Sequence, residues 1–212
     1  MPIANYRTTL FTCVASCLLA TSGIGQDRII ASAPDGTKPL EVGSSIPDVT
    51  VADAAGNAVS LQSLHQDGPA VLVFFRGGWC PFCTRHTQDL IKIYPQLKEH
   101  GVNLVAISPD SPKNSTENVT KNSIPFPILS DADVNAAKAF GLAFTVDAKT
   151  LTRYKGFGID LEKASGRDHH ALPVPAVYII DQNGKVVFAH SDTNYRQRLD
   201  TKTILAEVEK LK

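Results

Sequence analysis

Four cysteines occur in this 212-residue chain, at positions 13, 17, 80 and 83. The last two stand in Arg76-Gly77-Gly78-Trp79-Cys80-Pro81-Phe82-Cys83, between an unbroken apolar run over 70–75 and a stretch with helical spacing of Leu90, Ile91, Tyr94 and Leu97. Pro81 suits the first position of a helix, which makes Cys80 its cap and puts Cys83 one turn inside. Unpaired backbone N–H groups and the positive end of the helix dipole then favour a thiolate at Cys80, and Arg76 and Arg85 add positive charge. The thiolate is the reacting form of cysteine, so this spacing predicts a low-pKa nucleophile beside a resolving thiol, joined in one state as a Cys80–Cys83 disulfide. Two glycines before Trp79 leave room for another chain or a small substrate to approach.

Other chemistries fit these residues less well. Haem attachment needs a histidine directly after the second cysteine, and Thr84 stands there. Zinc needs about four ligands, and Cys80, Cys83 and His86 crowd three onto one helical turn. A bridge enclosing two residues removes little entropy from the unfolded chain, so a purely structural staple is a poor reading. No metal or cofactor is expected. A second element of interest is Leu172-Pro173-Val174-Pro175-Ala176, which enters an apolar strand. Pro175 there is either an ordinary strand-start proline or the site of a cis peptide bond, which only X–Pro adopts at small cost.

The elements that must position these groups follow from periodicity. Residues 48–52 and 58–61 flank the turn signal Ala54-Ala55-Gly56-Asn57 and predict a hairpin. The run over 70–75 predicts a strand covered on both faces, and 81–100 a helix closed by Gly101 and disturbed near Pro95. A second apolar strand is predicted over 102–108, a polar helix over 112–122, a short strand over 127–129, and a helix over 131–140 with Asp131 as N-cap. Residues 145–172, with His169 and His170, form a connection long enough to be functional or to carry structure of its own. Strands over 176–180 and 185–189 are joined by Asp181-Gln182-Asn183-Gly184, and Ile204, Leu205, Val208 and Leu211 predict a closing amphipathic helix. Strands alternating with helices imply an α/β domain whose central strands are parallel, made mixed by the last hairpin.

Composition narrows the function. With 21 basic and 21 acidic side chains the formal net charge is zero, which gives no electrostatic footprint for nucleic acid or anionic lipid. Hydrophobic residues make up 43% of the chain, and neither collagen-like nor disordered composition is present. Residues 1–25 have the layout of a secretory signal peptide: a weakly basic start, an eleven-residue apolar stretch over 10–20, then small residues. The stretch is too short to span a bilayer, so no membrane span is expected in the mature form. A lipoprotein reading with Cys17 as the lipidated residue competes with it, but Leu18 and Leu19 continue the apolar run. Cleavage would remove Cys13 and Cys17, leaving the Cys80/Cys83 pair in an oxidising, extracytoplasmic compartment. An irregular leader over 26–39 would then precede one domain over 40–212.

The Trp-Cys-x-x-Cys segment after an apolar strand, with Val174-Pro175-Ala176 before a later one, resembles the thioredoxin superfamily. Gly43-Ser44-Ser45-Ile46-Pro47-Asp48, Val59-Ser60-Leu61, RGGWCPFC and LPVPAVYIID are similar to the alkyl hydroperoxide reductase and thiol-specific antioxidant family, the peroxiredoxins and their relatives. The likeness covers about residues 40–211. It implies a thioredoxin-like fold, a central mixed sheet flanked by helices, with a cis Pro175 facing the dithiol and Val174 pairing its backbone with a bound peptide. It aligns Cys83 with the family's peroxide-attacking cysteine, whereas capping favours Cys80. Cys80 stands where the family usually has Thr, Arg76 where it has a shielding proline, and Phe74 where thioredoxin has a buried carboxylate. The implied function is an antioxidant oxidoreductase reducing hydroperoxides and recycled by a thioredoxin-type donor. An extracytoplasmic oxidoreductase acting on protein disulfides is the alternative, and copper delivery through the dithiol with His169 or His170 a more distant one.

Overall fold

A computed structural model describes residues 29–211; residues 1–28, with the expected signal peptide, Cys13 and Cys17, lie outside the described residues. A seven-stranded sheet has the order β2-β1-β5-β4-β3-β8-β9, formed by β1 (Thr50–Ala52), β2 (Ala58–Ser60), β3 (Ala70–Phe74), β4 (Asn103–Ser108), β5 (Ile128–Ser130), β8 (Ala176–Ile180) and β9 (Val186–Ser191). β3, β4 and β5 run parallel, while β1–β2, β1–β5, β3–β8 and β8–β9 pair antiparallel. This is the expected mixed sheet with parallel central strands.

Every residue of β3 is buried, because alternate side chains enter two different cores. Leu72 and Phe74 join Phe140, Leu142 and Tyr178 on one face. Val71 and Val73 join Leu90 and Leu97 of α1 (Pro81–Glu99), and Ile204 and Val208 of α6 (Thr201–Glu209), on the other. The helix α1 runs through Pro95 without interruption, and Gly101 beyond it takes φ +69°. α2 (Pro112–Asn122) has the predicted bounds, with Ser111 as its cap accepting from the Asn114 N–H.

Elsewhere the structure departs from the sequence expectation. α3 spans only Asn135–Ala139, not 131–140. The Asp131 N–H donates to the Ser108 carbonyl at 2.7 Å, which keeps Asp131 in the line of the sheet. Its carboxylate reaches forward to the Ala136 and Ala137 N–H groups at 2.9 and 2.8 Å, so it holds the first turn from outside the cap position. The stretch 145–172 contains structure of its own: α4 (Ala148–Gly156) and α5 (Leu161–Ser165), capped by Asp147 and Asp160, between the paired strands β6 (Ala143–Thr145) and β7 (Ala171–Pro173). The leader is tied down where it is described, since Ala31 bridges Phe144 and the Lys38 and Leu40 N–H groups reach the Gly141 and Phe140 carbonyls. Among the described residues, no helix is long and apolar enough to cross a membrane.

Candidate active site

The parallel pair β3 and β4 ends at one edge of the sheet, and the segments that follow these strands meet there. After β3 the chain turns through Arg76, Gly77 and Gly78 into α1, with the Cys80 N–H on the Gly77 carbonyl at 3.1 Å and Cys80 as N-cap ahead of Pro81. The glycines serve the loop itself and open no path for a substrate. Gly77 has φ +138°, and a Cβ there would lie 2.3 Å from the Trp79 indole nitrogen and 2.7 Å from Asp110 Oδ1. At Gly78 a Cβ would strike the Asn118 side chain at 2.7 Å.

Both cysteines are free thiols, each 1% exposed. The Cys80 thiol is lowered to about 6. The hydrogen bond from the Cys83 side chain contributes most, with help from Arg76, the Cys83 N–H and Arg198 outweighing burial. Burial drives the Cys83 thiol well above its ordinary value, and the neighbouring Cys80 sulfur adds to this. One proton therefore sits on Cys83 while Cys80 ionises.

Arg85, expected to assist, is exposed, and the second guanidinium comes instead from Arg198, whose Nη2 donates to Cys83 Sγ at 3.2 Å. Arg76 is 3% exposed. Its guanidinium donates to the Tyr154 hydroxyl and lies 5.1 Å from the Trp79 ring, 5.4 Å from Tyr154 and 4.1 Å from Tyr195. Tyr195 also packs edge-on against Phe82, 5.7 Å between centroids. Residues 192–200, between β9 and α6, thus form a strap across the dithiol. Asp110, just past β4, is buried and raised to about 6; it accepts from the Gly78 N–H at 2.7 Å.

The second sequence element behaves differently from expectation. No described peptide bond is cis, so the bond before Pro175 is trans. The chain passes straight from β7 to β8, with the Val174 N–H on the Leu142 carbonyl at 2.9 Å and the Pro175 carbonyl accepting from Asp192 at 3.2 Å. Val174 is buried and its N–H is taken, so that group is not free to donate to a bound peptide. Pro175 lines a small groove with His86, His190 and Arg198, on the Cys83 side of the helix. Burial, then Arg198, lowers His86 to about 4, leaving it neutral. His169 uses both ring nitrogens, toward the Ala132 carbonyl at 2.8 Å and the Ala171 N–H at 2.9 Å, and His170 pairs through Nε2 with Glu162.

Residues 42–189 match the AhpC/TSA family. The chain belongs to that family. Two relatives called thiol-disulfide oxidoreductase ResA are similar to this AhpC/TSA chain. The one from Bacillus thuringiensis subsp. konkukian is 24% identical over 70% of this chain and 68% of its own, and that from Geobacillus thermodenitrificans 25% identical over 85% and 84%. Among solved structures, reduced Prx3 of Vibrio vulnificus in complex with hydrogen peroxide superposes with a TM-score of 0.65 at 20% identity, covering 80% of this chain and 99% of its own. At that identity the likeness speaks for the fold.

The AhpC/TSA match contains Arg76, the dithiol, Asp110 and Tyr154, and ends before the strap that carries Tyr195 and Arg198. Sequence reasoning missed four of these neighbours. Asp110 had a signal, because it stands two positions past the strand predicted over 102–108. Tyr154, Tyr195 and Arg198 had none: Arg198 is 115 positions from Cys83 in a polar loop.

Proposed function

We propose that this AhpC/TSA protein is a thiol peroxidase in which Cys80 reduces a hydroperoxide, Cys83 resolves, and a thioredoxin-type donor restores the dithiol. The observation that carries this reading is a cysteine poised to ionise near pH 6 yet only 1% exposed. A sulfur so covered is within reach of a molecule the size of hydrogen peroxide after small side-chain motion, whereas exchange with a folded protein, be it a substrate or the donor that reduces the oxidised pair, needs the strap to move aside. The Cys80 thiolate attacks a peroxide oxygen; an S–O bond forms, the O–O bond breaks, and the departing alkoxide or hydroxide takes a proton from water. The Cys83 sulfur then displaces hydroxide from the Cys80 sulfenic acid, losing its proton to it, so that a disulfide and water result. Arg76 and Trp79 shape the wall around Cys80, and Pro81 fixes the helix start that presents it.

Rapid mixing of reduced protein with hydrogen peroxide, followed through Trp79, the chain's one tryptophan, tests this. Oxidation faster than that of free cysteine at the same pH is expected, abolished in Cys80→Ser and halted at a trappable sulfenic acid in Cys83→Ser. A rate no better than free thiol overturns the reading. The names of the ResA relatives favour a second reading, exchange with protein disulfides by the same dithiol. It requires the strap to open, and a mixed disulfide captured by Cys83→Ser in cells would support it.

The reading places the protein outside the cytoplasm after loss of residues 1–25, with the domain over 40–212. N-terminal sequencing of exported protein checks this, and a lipid-modified Cys17 at the new terminus would favour the lipoprotein form.

A further inference from the structure

Reduction of a Cys80–Cys83 disulfide requires one sulfur to leave as a thiolate, and the two sulfurs differ in how they can carry that charge. Burial and the adjoining Cys80 sulfur make Cys83 the poorer leaving group, a penalty that the Arg198 charge reduces. The groups that act on it are the Cys80 sulfur, the Arg76 N–H and Arg198 of the strap. His190 and Asp192 line the neighbouring groove with His86 and Arg198. Among the described residues, only Arg198 brings a charged donor to the sulfur, at 3.2 Å. Arg76 offers Cys83 its backbone N–H, its guanidinium being held by Tyr154 among three rings. Arg198 is also held in place: Nη1 donates to the Tyr195 carbonyl and to the Gln197 carbonyl at 2.6 Å, which leaves Nη2 for sulfur. A guanidinium fixed by its own loop has little ordering left to do when charge appears beside it.

We infer that Arg198 is a catalytic residue of the reductive half-cycle, holding the Cys83 thiolate as it departs from the disulfide. This rests on the proposed redox cycling of the dithiol and extends it to a residue nine positions past the AhpC/TSA match, at 198 against 189. The thiolate of a donor dithiol attacks the Cys80 sulfur; a donor–Cys80 disulfide forms, the Cys80–Cys83 bond breaks, and its electron pair stays on Cys83 beside Arg198. The donor's second thiolate then displaces Cys80, leaving as the donor disulfide, and Cys83 takes up a proton.

The test uses the full chain, oxidised with diamide and reduced with dithiothreitol, read by Trp79 fluorescence. Arg198→Gln is expected to slow reduction roughly tenfold, as a poorer leaving thiolate should. The rate at which peroxide oxidises Cys80 falls much less, and Arg198→Lys recovers part of the reductive loss. In Cys80→Ser, alkylation of Cys83 followed by mass spectrometry moves to higher pH when Arg198→Gln is added. Equal slowing of both half-cycles, a lysine variant no better than glutamine, or an unmoved Cys83 profile would overturn the inference. A wild-type protein inert to peroxide but showing these dithiothreitol effects removes the peroxidase reading and supports this one.

Discussion

Asp110 follows β4 and Asp131 follows β5, and since these strands are parallel, both carboxylates emerge at the same edge of the sheet. Burial raises both, Asp110 to about 6 and Asp131 to about 7. Their partners differ. Asp131 uses one oxygen on the Ala136 N–H and the other on the Ala137 N–H, tying β5 to α3. Asp110 uses Oδ2 on the Gly78 N–H, while Oδ1 lies beside Gly77 and the Trp79 indole, whose side chain, like that of Ser108, moderates its rise. Its charge is also felt at Cys80. One carboxylate is fully accounted for by backbone it holds together; the other keeps interaction capacity directed at the candidate active site. Equal burial thus accompanies a structural duty in one place and an electrostatic one in the other.

The largest effect that could break this contrast is on stability. Asp131→Ala leaves two buried N–H groups without acceptors and should cost about 3 kcal/mol. Asp110→Ala orphans one and should cost about 1 kcal/mol. Chemical denaturation monitored by far-ultraviolet circular dichroism measures both. Peroxide oxidation of the folded fraction stays at the wild-type rate in Asp131→Ala. Equal losses in the two variants would erase the distinction.

How far this arrangement was legible follows from the same residues. β3, α1 and β4 were readable from apolar runs and helical spacing, with Pro81 and Gly101 bounding α1, and the polar α2 from Ser111 and Pro112 at its start. The Cys80 cap could be placed from the proline alone. Asp131 was seen as a helix cap, but its backbone bond to Ser108, a tertiary contact, moved the helix four residues on. The stretch 145–172 hid two helices, and its ends two flanking strands, because each is too short to establish a period. The occupied Val174 N–H depends on the Leu142 carbonyl just before β6, a partner distant in sequence that nothing local reports. Trp79, Asp110 and Asn118 pressing on the glycine pair could not be foreseen either, so space that read as an approach for substrate is filled from within.

An intermediate effect concerns pH. Asp110 and Asp131 have folded values above that of the free acid, so the native state binds more protons than the unfolded one above about pH 4, and each lowers stability as pH rises to about 6 and 7. His86, depressed to about 4, does the reverse between about 4 and 6.5, its unfolded form binding the extra proton. Two falling contributions against one rising leave a net fall from pH 4 to 6, at most about 1.4 kcal/mol per unit. Above pH 6 the depressed Cys80 thiol reverses the slope toward its unfolded value near 9. Wild-type stability should therefore pass through a trough near pH 6–7. Asp131→Asn, which cancels one falling contribution, should flatten the acid side, and Cys80→Ser should remove the alkaline rise. Denaturant midpoints across pH 4–9 decide it; a wild-type curve that climbs from pH 4 to 6 would contradict both assignments.

The smallest effect bears most directly on the active site. Asp110→Asn keeps an acceptor for the Gly78 N–H and removes one negative charge near the Cys80 sulfur. A like charge nearby disfavours a thiolate, so its removal should lower the first ionisation of the dithiol below its wild-type value of about 6. Cys83 ionises far higher, so the first thiolate to appear reports Cys80. Alkylation of the reduced protein against pH, with fragment ions locating the label on Cys80, measures the change. The pH at which peroxide oxidation becomes half-maximal should move down with it, while Asp131→Asn leaves both profiles in place. If Asp110→Asn moves neither profile, the carboxylate acts on the loop through Gly78 alone, and the two aspartates differ in the backbone they hold and in nothing electrostatic.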